Sequence, residues 1–127
     1  MQLLLDTHAF LWWLDDSPKL GPQARAAIGD GGNAVFVSAA SAWEIAVKRA
    51  SGKIDAPGDI AEWIAKSDFG DLPIEVKHAV TAAELPLHHR DPFDRMLVAQ
   101  AQLEEFTLVA RDDEIDKYDV TILDAGT

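Results

Sequence analysis

The chain has 127 residues, and 11 Lys and Arg stand against 22 Asp and Glu, a formal net charge of −11. That length suits one domain over residues 1–127 with a core of its own. The absence of cysteine excludes a disulfide framework, a thiolate zinc site and a cysteine nucleophile. The charge opposes non-specific binding to nucleic acid, which runs on phosphate neutralisation. It favours divalent cations or a basic partner, so a polyanionic substrate has to be reached through a metal or a local basic patch. No apolar run approaches the ~20 residues that span a bilayer. The N-terminus, Met1 to Asp6, lacks the basic region of a signal peptide. A cytoplasmic protein without membrane association is expected.

Leu3-Leu4-Leu5 reads as a short buried strand ending at Asp6. Phe10, Leu11 and Leu14 predict a helix that ends before Ser17-Pro18, and a second follows from Pro22 to Ile28, closed by Gly29-Asp30-Gly31-Gly32. Ala34 to Val37 is a continuous apolar run, as in a strand covered on both faces. Ser41 begins the next helix, where Trp43, Ala46, Val47 and Ala50 form one apolar stripe expected to face the core. Ile60, Trp63 and Ile64 mark a short helix, Leu72-Pro73-Ile74 a minimal strand, and Val76, Ala79, Val80 and Ala83 a further helix. Pro92 to Glu105 is the longest helix and is apolar on most sides, as in a helix at the centre of a domain. Thr107 to Ala110 and Val120 to Leu123 are the last strands. Strands alternating with helices indicate an α/β fold whose parallel sheet is covered on both faces. In such folds the site lies at the carboxyl ends of the strands.

Acids stand at those ends. Asp6 follows the first strand, Glu44 lies in the first turn of the helix after the Ala34 to Val37 strand, Asp94 opens the central helix, and Asp112 and Asp113 follow the Thr107 to Ala110 strand. Each has a local role open to it. Asp6 suits an N-cap, Ser41 and Glu44 have capping-box spacing, and Asp91-Pro92-Phe93-Asp94 reads as N-cap, proline at N1 and acid at N3. Asp112 to Glu114 suit a cap for a short helix before Tyr118. Capping does not require helix starts to meet, however, and four acids on four segments point to one pocket. Converging carboxylates repel in a low-dielectric cleft, and Mg²⁺ or Mn²⁺ prefers their oxygens.

These segments resemble the PIN-domain ribonucleases, specifically the VapC-type toxins of toxin–antitoxin pairs, nearly end to end. Leu3 to His8 resembles the opening strand with its first acid. Ser38 to Lys48 resembles the segment bearing the Glu, here Glu44. His89-Arg90-Asp91-Pro92-Phe93-Asp94-Arg95 through Ala101 is the most specific stretch and puts Asp94 in the third acid's place. Leu108 to Asp112 resembles the fourth-acid segment, with Ala110 where many members carry Thr or Ser. Asp113 stands beside the aligned Asp112 as an alternative. The resemblance implies a three-layer α/β/α sandwich with a mostly parallel, roughly five-stranded sheet. It also implies Mg²⁺- or Mn²⁺-dependent endoribonuclease activity on structured RNA, inhibition by a cognate antitoxin, and a homodimer.

On that reading Asp6 and Asp94 hold the metal directly. Glu44 acts through water or orients the nucleophile, and Asp112 completes the shell or holds a second ion. RNA phosphates fall to Lys48, Arg49 and Lys53, to His88, His89, Arg90 and Arg95, and to Arg111. Lys48 has a helix pairing with Glu44 as its alternative, and Arg95 a structural role. His8 stands beside Asp6, with packing as the alternative to a role at the metal. Trp43 is expected in the core, while adjacent Trp12 and Trp13 cannot share a helix face, so one is expected to meet a partner. Two rival enzymes fit less well. A phosphorelay receiver wants adjacent acids after its first strand, where Thr7 follows Asp6, and a haloacid-dehalogenase-type phosphatase wants Asp where His8 stands. A catalytically silent PIN-like module is the third rival, and the four filled acid positions argue against it.

Overall fold

A computed structural model describes residues 1–56 and 58–127. The leucine triplet lies in β1 (Gln2–Leu5), followed by α1 (Thr7–Leu14), α2 (Pro22–Gly29), β2 (Ala34–Ser38), α3 (Ala39–Ala50), α4 (Ile60–Lys66), β3 (Gly70–Leu72), α5 (Val76–Glu84), α6 (Pro92–Glu104), β4 (Thr107–Ala110) and β5 (Ile122–Asp124). The strands form one parallel sheet in the order β3-β2-β1-β4-β5. The chain therefore builds outward from β1 on one side, then returns to build on the other. Side chains alternate across the sheet. Leu3 and Leu5 pack with Ala9, Phe10, Ala24, Ile28 and Ile64 on one face, while Leu4 packs with Leu97, Val98, Leu108 and Tyr118 on the other. Helices α1, α2 and α4 cover the first face and α6 the second. This is the expected three-layer α/β/α sandwich. Among the described residues no helix is long and apolar enough to cross a membrane.

Local chemistry sets several boundaries. Pro92 occupies N1 of α6 behind the N-cap Asp91, whose side chain accepts from Phe93 N, as expected. β3 lies two residues before the expected Leu72-Pro73-Ile74, because Pro73 has no N–H to donate to a ladder. Gly70 is where β3 passes the Phe36 ring, and a Cβ there would lie 2.6 Å from Phe36 Cε1. β5 begins at Ile122 rather than Val120, which is held in a turn by Val120 N to Tyr118 O.

The buried sides of α3 and α5 differ from expectation. α3 starts at Ala39 with Ser38 as its cap, so Ser41 and Glu44 form no capping box and Glu44 lies in the second turn. Its buried face is Ala40, Ser41, Glu44 and Ile45, which leaves Trp43 61% exposed and Val47 46% exposed. α5 buries His78 and Ala82, leaving Val76 and Val80 outside. Periodicity located an apolar stripe on each helix correctly, but burial goes to the faces that carry Glu44 and His78. Trp43 rests edge-on against Phe93 of α6, with ring centres 5.1 Å apart. Ala79 and Ala83 of α5 line a groove with Pro92 and Met96 of α6. Trp12 and Trp13 are both half-buried, Trp13 against Phe69.

Ser38 Oγ accepts from Ala40 N and donates to Gln100 Oε1 at 2.6 Å. Replacing Ser38 by Ala removes the cap and leaves a buried amide oxygen without a donor. We expect Ser38→Ala to lower unfolding free energy by about 2 kcal/mol in urea titrations.

Candidate metal centre

The four predicted acids meet over the carboxyl edge of the sheet. Asp6 leaves β1 with its N–H on Val109 O (3.0 Å), which stitches β1 to β4, and its Oδ1 accepts from Ala9 N (2.7 Å) as the N-cap of α1. Glu44 reaches it from α3: Thr7 Oγ1, next to Asp6, donates to Glu44 Oε1 at 2.5 Å and lies 3.1 Å from Ser41 Oγ. Lys48, one turn along α3, pairs with Glu44 Oε2. Asp94 stands in the first turn of α6. Asp112, beyond β4, has Oδ1 on Glu114 N at 2.8 Å. His89 lies between the last two, its Nε2 3.0 Å from Asp94 Oδ2 and 3.0 Å from Asp112 Oδ2. Asp113 is exposed, so Asp112 is the acid that enters the cluster.

The carboxylates divide by how their oxygens are used. Both oxygens of Glu44 and both of Asp112 meet donors of the chain. Among the described residues, no protein donor meets Asp6 Oδ2 or Asp94 Oδ1. Burial pushes Asp6 up to about 7 from its ordinary 3.8, helped by the charges of Asp94, Glu44 and Asp112 and opposed by the Ala9 N–H. Burial likewise pushes Asp94 up to about 7, helped first by Asp91. Two crowded, desolvated carboxylates with free oxygens suit a hard divalent cation, which takes oxygen ligands and supplies the charge the pocket lacks.

The other singled-out residues go to several places. Arg95 donates to Ala82 O, Leu85 O and Pro86 O, so it caps the end of α5 instead of meeting phosphate or a carboxylate. Arg49 holds Ala56 O and Gly58 O, and Lys48 faces Glu44. Arg90 and Arg111 remain exposed, Arg111 against Gly126, as do Lys53 and His88. His8 is exposed beside Trp12. Thr7 was not among the sequence candidates, although its signal was present as a hydroxyl directly after the first acid. His89 was marked for phosphate and instead sits among the acids.

A parallel sheet that reverses strand order at β1, with acids gathered over its carboxyl edge, defines an α/β protein with an acidic cluster of a kind that could hold a cation. The family model of the PIN domain matches residues 3–120, and the chain belongs to that family. A curated relative, Ribonuclease VapC16 of Mycobacterium tuberculosis (strain ATCC 25618 / H37Rv), is 39% identical over 71 residues. That match takes in 51% of this chain and 50% of the relative, about half the relative's length. Among solved structures, VapBC2 from Rickettsia felis bound to a DNA fragment from its promoter superposes with a TM-score of 0.68 at 13% identity, covering 97% of this chain and 98% of that one. A toxin-antitoxin complex from Klebsiella pneumoniae gives 0.64 at 18% identity, with 97% of each chain covered. At such identities the likeness is one of fold.

Both raised acids penalise the folded state once ionised. In chelator, the protein should be most stable below about pH 4 as far as these groups are concerned. It should lose stability as pH rises towards about 7 and level off above. Urea titrations at several pH values check this, and Asp94→Asn should flatten the slope.

Proposed function

We propose that residues 1–127 act as one PIN domain that hydrolyses phosphodiester bonds of structured RNA with Mg²⁺ or Mn²⁺, as the toxin of a toxin–antitoxin pair in the cytoplasm. The observation that carries the reading is the pair Asp6, buried, and Asp94, half-buried, mutually repelling and each with an oxygen that no donor among the described residues claims. That a relative is a ribonuclease and that a structural neighbour is a toxin–antitoxin complex supports the RNA and antitoxin parts.

Asp6 and Asp94 would hold the ion directly, with Glu44 and Asp112 acting through water or at a second ion. When bound, the cation supplies positive charge to the phosphoryl oxygens and acidifies water. The chain's residues do the rest. Thr7 and Lys48 hold the Glu44 carboxylate in place at the pocket. The Ala9 N–H fixes the Asp6 rotamer, so its free oxygen points one way. Phosphates of the RNA would be met by Arg90 and Arg111, the exposed cations nearest the acids in sequence; Lys48, Arg49 and Arg95 are engaged within the chain. Trp43, Val47 and Phe93 beside the α5–α6 groove make an apolar surface suited to a second copy of the chain. A basic segment of the antitoxin would find its charge complement in the acids.

Incubation with total cellular RNA and Mg²⁺, with end-sequencing of fragments, tests the activity. Asp6→Asn and Asp94→Asn should each slow cleavage by more than about a hundredfold, exceeding the usual loss from an outer partner of a metal ligand. Equal cleavage by wild type and Asp6→Asn would remove the proposed site. Val47→Glu, at an exposed position, should move the protein from dimer to monomer in size-exclusion chromatography with light scattering.

A further inference from the structure

The cation chemistry leaves His89 without a role, yet the chain builds a turn around it. Its backbone N–H donates to Tyr118 Oη at 3.0 Å, its carbonyl accepts from Arg95 at 3.2 Å, and Tyr118 Oη donates to Pro86 O at 2.7 Å. The ring is oriented too. His89 Nδ1 accepts from Asp91 N at 3.1 Å, so the ring hydrogen belongs on Nε2. Nε2 then offers a hydrogen and no lone pair, which makes it a donor to carboxylates and not a ligand for a cation. That hydrogen is donated to Asp112 Oδ2 at 3.0 Å, and Asp94 Oδ2 lies 3.0 Å from the same nitrogen as an ion-pair contact.

The same device occurs where no chemistry is at stake. His78 Nδ1 accepts from Glu75 N at 2.9 Å, and its Nε2 donates to Glu104 Oε1 at 2.9 Å. There it joins α5 to α6. This tautomer also argues against a cation among Glu75, His78 and Glu104, although their ligand atoms lie within 4.8 Å of one another. In both places a backbone N–H fixes the ring so that Nε2 holds an acid contributed by another element.

Resting on the cation-dependent reading above, we propose that His89 is a positioning residue that keeps Asp112 beside Asp94, leaving Asp94 Oδ1 to face the ion. Asp112 is then gripped on both sides, by Glu114 N on Oδ1 and His89 on Oδ2. Its contribution to an ion is accordingly through water. Asp94 rests Oδ2 against the ring and keeps Oδ1 for direct contact.

The test is calorimetric titration of the full chain with Mn²⁺ after chelator treatment, alongside thermal melting. His89→Ala should weaken Mn²⁺ binding by about 10- to 100-fold, the usual effect of losing an outer partner. His89→Gln, which keeps an N–H donor, should recover a large part of it. In an Asp112→Ala background the further loss from His89→Ala should shrink, because the two residues act as one unit. Mn²⁺ binding by His89→Ala within about twofold of wild type overturns the proposal. So does a His89→Gln variant no better than the alanine, or a loss confined to RNA affinity. Should His89→Ala fail to fold, the glutamine variant decides alone. Wild type with no measurable Mn²⁺ binding overturns the cation reading itself, a result distinct from failure of the histidine's role.

Discussion

Repulsion among carboxylates is the constraint around which this molecule is arranged. Parallel pairing of β1 with β4 and β2 brings the segments after those strands to one edge, and three of the four acids arrive on or near such segments. Left alone, they would oppose folding. The chain answers with the Ala9 N–H on Asp6, Thr7 and Lys48 on Glu44, and His89 and the Glu114 N–H on Asp112. What these leave over is concentrated on Asp6 and Asp94, the two acids pushed up to about 7. The imbalance is local and directional, which is what distinguishes a binding centre from a generally acidic surface.

The pocket is anchored to the interior by a second polar system. Ser38 ends β2, caps α3 and donates to Gln100 in the middle of α6, and the Gln100 amide also reaches Pro73 O. Glu44 and Asp94 sit near the starts of these two helices. One buried hydrogen bond therefore sets the spacing between the elements that carry them. Ser38 and Gln100 are both fully buried and satisfied, the condition under which a buried polar pair specifies an arrangement rather than weakening it.

The order of strands and helices could be read from the chain because the strands are short, apolar and sharply bounded, as with Leu3-Leu4-Leu5 before Asp6. The acids could be read as candidates because Asp6 and Asp112 follow strands, Asp94 opens a helix, and Glu44 lies within two turns of the end of β2. The orientation of α3 and α5 could not. A period of 3.6 says which residues share a face, but not which face the tertiary structure buries, and here the buried side carries Ser41, Glu44 and His78 while valines stay outside. The fates of the basic residues were equally hidden. Arg95 and Arg49 look like phosphate binders in a linear reading, yet their partners are main-chain carbonyls, which leave no trace in composition. His89 was visible as a histidine next to the third acid, but its tautomer depends on a backbone N–H two residues on.

Arg95 donates to carbonyls of Ala82, Ala83, Leu85, Pro86 and His89 and to Tyr118 Oη. A whole stretch of irregular backbone thus takes its shape from one planar fork of donors, and a lysine could not serve so many acceptors at once. Anyone transplanting the loop between α5 and α6 into another scaffold would have to carry the arginine and the tyrosine with it, since the loop's conformation is encoded outside its own residues.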